Sequence, residues 1–276
     1  MSSLRFAVGG SPLSTPPPGG TIKGLKQAAK LGINAMEIEW VQSVPKNPEN
    51  MFEIRALVEE LDITLTVHAP YYVNLNSPEP EKLEASIMRV TNALAMSELA
   101  GVRSVCVHAA FNLGQPPDVV YKNVYAAVDR IMSKKQKLFP HVNLALETMG
   151  RQSQFGTLEE VLKISKAFDI YPTVDPAHMH ARSNGKVNTY EEWDEMFTTY
   201  AKYLGKKSLT YMHMHFSGIA YGEKGEKYHE PLQQSDANWK DFLQVLKDRK
   251  IGGTVVCESP ILEKDTLLMQ KTFAKL

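Results

Sequence analysis

Six apolar runs in this chain each end on a side chain able to bind a metal ion. Thr64-Leu-Thr-Val-His68, Ser104-Val-Cys-Val-His108, Asn143-Leu-Ala-Leu-Glu147, Tyr171-Pro-Thr-Val-Asp175, Tyr211-Met-His-Met-His215 and Thr254-Val-Val-Cys-Glu258 share the pattern, and His178 follows Asp175 by three residues. A carboxylate at the end of an apolar run is costly to desolvate unless a positive charge meets it. Basic residues are scarce there: Arg103 and Lys207 precede their runs, and Arg151 is the nearest candidate. Bound divalent metal neutralises Glu147, Asp175 and Glu258 more readily than buried ion pairs would. Mixed histidine and carboxylate ligation suits Zn2+, or Mn2+, better than Mg2+ or Ca2+, which prefer oxygen shells. One zinc takes about four ligands. Three carboxylates with His68, His108, His178 and His215 exceed that number, and His229, in a loop, adds to them. Two or three ions are therefore expected. Ions clustered about 3.5–4 Å apart are apparatus for phosphodiester hydrolysis, and Glu147, with two oxygens, can bridge two of them.

The remaining histidines and the cysteines read differently. His213, two residues before His215, points the same way one layer deeper and belongs to the core; His141 and His180 are read as surface or loop residues. Cys106 and Cys257 lie inside apolar runs far apart in sequence, so they are small buried hydrophobes rather than a disulfide framework.

The elements that must position these ligands alternate regularly. Strands are predicted at 4–8 and 34–40 and at the six runs above. Helices are predicted from Thr21 to about Leu31, Met51 to Leu61, Pro80 to Ala100, Pro117 to Leu138, from a capping box at Thr157-Leu-Glu-Glu160, from Tyr190 to Tyr203, over 237–249 with Asp236 as cap, and from Lys264 to Ala274. Segments 11–20, 182–189 and 217–235 are predicted loops. Eight strands alternating with eight helices, with no composition break, predict one α/β domain over 1–276, a (β/α)8 TIM barrel. In such barrels the active site lies at the carboxyl ends of the strands, where residues distant in sequence converge.

Length and composition set the outer bounds. The chain has 276 residues, 43% hydrophobic and 22% charged, an ordinary globular mixture. Lys+Arg and Asp+Glu are both 31, so a nucleic-acid partner would need a local patch or the charge of bound metal. No apolar run approaches the ~18 residues of a membrane span, and a soluble cytoplasmic protein with no membrane partner is expected.

At this level of detail the chain resembles endonuclease IV, the zinc-dependent apurinic/apyrimidinic endonuclease family, in an archaeal-type branch within the xylose isomerase-like barrels. The likeness spans nearly the whole chain and is specific in short motifs: His68-Ala-Pro-Tyr71 with Asn74-Leu75, the strand ending in His108, Leu146-Glu147-Thr148, Asp175-Pro-Ala-His178, His215-Phe-Ser, His229-Glu-Pro-Leu232 and Cys257-Glu258-Ser259. The resemblance implies a trinuclear zinc site. His68, His108 and Glu147 would hold the first ion. Glu147, Asp175, His215 and Glu258 would hold the second, and His178 and His229 the third, with Glu147 and Glu258 the catalytic carboxylates. It implies hydrolysis 5′ to an abasic site in double-stranded DNA, leaving a 3′-hydroxyl and a 5′-deoxyribose phosphate. Tyr71 matches a tyrosine that helps distort the DNA, and a monomer is expected.

Two departures stand out. The family's third zinc takes an aspartate two residues before the last histidine, and here that position is Lys227. Glu226 or Glu230 would have to substitute, or Lys227 would contact phosphate in the ion's place. An inward ammonium predicts a third ion bound more weakly than the other two. The family's DNA-gripping arginines find no clear match between Trp40 and Asn50. The rival reading is a xylose isomerase-like sugar isomerase or epimerase with one ion on Glu147, Asp175, His215 and Glu258, the two glutamates moving protons beside a carbonyl. That enzyme has no need of His68, His108 and His229. A zinc-stabilised binding module fits poorly, because structural zinc sites close with four ligands, usually including cysteine.

Overall fold

The computed structural model describes residues 4–276. Eight parallel strands, β1 (Leu4–Gly9), β2 (Ala35–Glu39), β3 (Thr64–His68), β4 (Ser104–Val107), β5 (Asn143–Leu146), β6 (Thr173–Val174), β7 (Met212–Phe216) and β8 (Gly253–Cys257), stand in the order β5-β4-β3-β2-β1-β8-β7-β6. A parallel bridge between Glu147 and Thr173 joins β5 to β6 and completes the ring. The fold is a TIM barrel, as the alternation predicts.

Strand parity decides which side chains reach the interior. Successive strand residues point to opposite faces. One parity turns outward: Val8, Ile38, Val67, Val107 and Leu146 pack in one apolar layer, and Met212, Met214, Phe216 and Val255 in another, beneath the helices. Burying each such side chain contributes roughly 1.5–3 kcal/mol. The other parity faces the barrel axis. Ala7, Ala35 and Val256 form a small apolar cluster there. Two residues along from Ala35 and Val256 on their strands come Glu37 and Glu258, and the register carries the same face to His68, Cys106, Ala145 and His215. The candidate ligands thus share a parity and an end of the barrel.

The outer layer consists of α1 (Thr21–Lys30), α2 (Pro48–Glu60), α3 (Pro80–Leu99), α4 (Pro117–Leu138), α5 (Leu158–Phe168), α6 (Pro176–Arg182), α7 (Tyr190–Leu204), α8 (Trp239–Asp248) and α9 (Glu263–Phe273). The capping box at α5 is present in both directions. Four local readings are corrected. Helix α2 begins at Pro48 rather than Met51, because Asn47 accepts from the Glu49 amide at 3.0 Å and proline suits the first helical position. The cap of α8 is Asn238, not Asp236. The short helix α6 follows β6 where no helix is predicted, since the Asp175 carboxylate accepts from the His178 amide at 2.9 Å. The segment 217–235 is not all loop: Gly218–Gly222 and Gly225–Glu230 form an antiparallel hairpin. Ile219 packs it onto Ala177 and Ala181 of α6. No helix among the described residues is long and apolar enough to cross a membrane.

Candidate metal centre

Glu147, fully buried one residue beyond β5, lies at the middle of the ligand set. Its Oε2 is 2.9 Å from His108 Nε2 and 3.5 Å from His68 Nε2, and accepts from the Cys106 thiol at 3.1 Å. Its Oε1 is 3.1 Å from His215 Nδ1 and 3.3 Å from His178 Nδ1. Each oxygen therefore faces a different pair of imidazoles.

Backbone carbonyls orient three of the rings. The Nδ1 of His68 lies 2.8 Å from the Ala69 carbonyl, that of His178 2.9 Å from Thr148, and that of His229 3.2 Å from Glu258. With Nδ1 the donor to each carbonyl, Nε2 is left as the lone pair, which is how metal-binding histidines are usually held. His215 is held the other way: its Nε2 lies 2.8 Å from Glu37 Oε1, turning Nδ1 toward Glu147 and, at 3.4 Å, toward Glu258 Oε1. Glu37 also accepts from His213 Nε2 at 2.8 Å, so His213 is the buried core histidine its position predicts.

The arrangement fits divalent cations. His68 Nε2 and His108 Nε2 stand 3.1 Å apart, and His178 Nε2 and His229 Nε2 3.4 Å apart. Donors about 2.0–2.1 Å from one zinc at tetrahedral angles lie about 3.4 Å from each other. Asp175 Oδ2 is buried and accepts no hydrogen bond, its contact with His178 Nδ1 being 3.3 Å, a costly state for a carboxylate oxygen. Donor atoms of His68, His108 and Glu147, of Glu147, Asp175, His215 and Glu258, and of His178, His229 and Glu258 lie within 4.8 Å of one another in each set.

Electrostatics separate the carboxylates. Burial alone would raise Glu147, but His215 and His108 outweigh it and hold its carboxyl well below the usual range. Glu37 is likewise depressed against burial by His215 and His213, and Glu258 is brought down to about 2, chiefly by His215. Glu39 behaves oppositely: burial overcomes the nearby His68 and pushes its carboxyl up to about 8. Burial and Glu147 push the Cys106 thiol up, so it stays protonated and donates. The reading of Cys106 as a plain buried hydrophobe is incomplete.

Above the buried ligands opens a cleft of about 400 Å3, lined by Tyr71, Phe111, Arg151, Glu226 and the outer histidines among others. Tyr71 stacks on His108 at 5.4 Å between centroids, meets His68 edge-on at 5.0 Å, and is 47% exposed. Lys227 is exposed on the hairpin, its side chain lying along Gly222. An inward-facing ammonium, the condition for a weakened third ion, is not observed. His180 is corrected as well: it is fully buried, 3.0 Å from Asp236 Oδ1, while Tyr221 donates to the other oxygen of that carboxylate at 2.7 Å. His141 is exposed, as expected. Sequence reasoning misses Glu37 and Glu39, and it misses the partnership of Asp236 with His180. Glu37 and Glu39 alternate with Met36 and Ile38, which a strand with one solvent face would show equally well.

Comparison with known proteins places the chain among its relatives. The family model for xylose isomerase-like TIM barrels matches residues 25–273. An uncharacterized protein of Methanocaldococcus jannaschii is 36% identical over 273 residues, 99% of this chain and 98% of its own length. A probable endonuclease 4 of Aquifex aeolicus is 22% identical over 240 residues, 83% of this chain and 84% of its own. In three dimensions, endonuclease IV from Thermus thermophilus matches with a TM-score of 0.72 at 20% identity, over 98% of both chains. A D-tagatose 3-epimerase-like protein matches with the same TM-score at 18% identity, over 98% of this chain and 96% of its own. At those identities the two structural likenesses establish fold alone. The chain belongs to the xylose isomerase-like TIM barrel family.

Proposed function

We propose that this protein is a metal-dependent phosphodiesterase that cleaves double-stranded DNA 5′ to an abasic site, leaving a 3′-hydroxyl. The observation that carries this reading is the placement of Glu147, whose two oxygens face separate imidazole pairs, so that ligands for more than one ion meet on one carboxylate. Relatives named endonuclease 4 support it from the side of sequence. His68, His108 and Glu147 would hold one ion, Glu147, Asp175, His215 and Glu258 a second, and His178 with His229 a third, zinc being favoured by the donor set and manganese the alternative. Such ions, when bound, polarise a phosphodiester and make water acidic enough to act as a nucleophile near neutral pH.

The chain's own groups do the rest. Glu147 and Glu258, whose carboxyls lie below the usual range in the metal-free chain, would keep negative charge on the ion-facing side of the cleft. Glu37 keeps His215 turned so that Nδ1, not Nε2, faces the centre. Tyr71 offers an exposed ring over His68 and His108 for an unpaired sugar or base to pack against. Arg151 supplies a cation at the cleft, and exposed Lys227 a second for backbone phosphate.

A second reading has its own support: Glu147, Asp175, His215 and Glu258 by themselves form a complete set for one ion, as a sugar epimerase would need. Stoichiometry separates the two. Protein purified without chelators should contain at least two ions per chain, chiefly zinc, by elemental analysis. A single ion confined to those four ligands, with turnover of a ketose, would transfer the assignment to the epimerase.

A further inference from the structure

The hairpin that covers the outer histidine pair has an irregular register. Gly218 pairs with Glu230, Ile219 with His229 and Ala220 with Tyr228; then Tyr221 pairs with Glu226 and Gly222 with Gly225. Lys227 is the extra residue, with no partner across the ladder. On a regular strand, His229 and Glu226 are three apart and would face opposite sides. A one-residue bulge reverses the parity beyond it, so here they face the same side. Exposure agrees. Lys227 and Tyr228 are exposed, whereas the side chains of Glu226 and His229 are 14% and 24% exposed.

The local packing directs Glu226 toward His178. Glu226 Oε2 lies 3.7 Å from His178 Nε2, which itself lies 3.4 Å from His229 Nε2. Beneath Glu226 is Gly150: a Cβ there would stand 2.7 Å from Glu226 Cβ, 2.9 Å from its Oε2 and 3.1 Å from His178 Cδ2. The Glu226 amide donates to the Gly150 carbonyl at 3.1 Å. Gly225, at φ +89°, passes so close to that carbonyl that a Cβ would fall 2.1 Å from the oxygen. Two glycines therefore clear the space in which this carboxylate reaches the histidine pair. Glu230 is adjacent to His229 and so takes the opposite parity.

We propose that Glu226 is a metal ligand, completing the outer ion's protein shell with His178 and His229, and that the bulge at Lys227 is what delivers it. The proposal rests on the multinuclear reading of the centre. In it, the carboxylate that the resemblance places at 227 is supplied by the preceding residue, and the lysine is turned away from the ion.

The test uses full-length, zinc-loaded protein: wild type, Glu226→Gln and Glu230→Gln, with metal content by elemental analysis, zinc affinity by competition with a chromophoric chelator, and melting by circular dichroism. Gln is nearly isosteric with Glu, and Glu226→Ala provides a second variant if packing is disturbed. The expected result is three ions in wild type and in Glu230→Gln. In Glu226→Gln the most weakly held ion should lose roughly 10–100-fold or more in affinity, with melting of the metal-free protein unchanged. Glu226 variants that keep the third ion at wild-type affinity, or a wild type that holds only two ions, overturn the proposal. If such a wild type still incises an abasic duplex, the nuclease reading stands without it. A wild type with one ion overturns both.

Discussion

Glu147→Gln is expected to reduce incision of an abasic duplex by roughly 10³-fold or more, at least about 4 kcal/mol of barrier, while leaving the fold intact. The amide keeps the shape of the side chain but replaces one acceptor oxygen by a donor. In the native chain both oxygens are engaged, Oε2 with His68, His108 and Cys106, and Oε1 with His178 and His215. No orientation of the amide serves both sides. Steady-state incision by the metal-loaded variant, beside its metal content, checks this. Near wild-type incision with all ions retained would show that Glu147 does not join the sites.

The second large effect falls on a residue outside the ligand set. Glu37 has no exposure to solvent and meets two buried imidazoles, accepting from His213 Nε2 at 2.8 Å and lying 2.8 Å from His215 Nε2. Removing one partner of a buried ionic contact costs about 3–5 kcal/mol, because the charge left behind has no compensation. Glu37→Ala should therefore lower stability by about that amount and, with His215 free to turn, weaken metal binding roughly 10–100-fold. The comparison is Glu59→Ala, which breaks an Arg55–Glu59 pair on α2 whose side chains are 52% and 67% exposed, and which should cost less than about 1 kcal/mol. Denaturation midpoints measure both. A Glu37→Ala protein as stable as Glu59→Ala would mean that the interior histidines find other partners.

How far the fold and the site were legible follows from these same residues. The barrel was legible because each apolar run is short, bounded, and followed by an amphipathic helix, so that order alone closes the ring. Ligands at strand ends were legible because a titratable residue terminating an apolar run is costly without a partner. Glu37 and Glu39 were not, since they lie inside a run whose alternation looks like an ordinary half-exposed strand; only closure of the barrel turns that parity inward. The clue available was His213, an interior histidine that must have an acceptor. His180 and Asp236 were misread for a different reason. Their pairing depends on α6, over Pro176–Arg182 where no helix is predicted, and on the hairpin, which arises where glycine and charge read as loop. The bulge at Lys227 belongs to the same class. A one-residue shift of register is invisible until the two strands are paired, yet it determines which of Glu226 and Lys227 faces the histidines.

The central claim is hydrolysis of a phosphodiester at an abasic site, and its most direct test is a duplex carrying one stable abasic analogue, labelled at its 5′ end and incubated with zinc-loaded protein. The account predicts a single incision immediately 5′ to the analogue, a product whose 3′-hydroxyl a polymerase can extend, loss of cutting on chelation and its return with zinc. A fully loaded protein that leaves this duplex intact would contradict it.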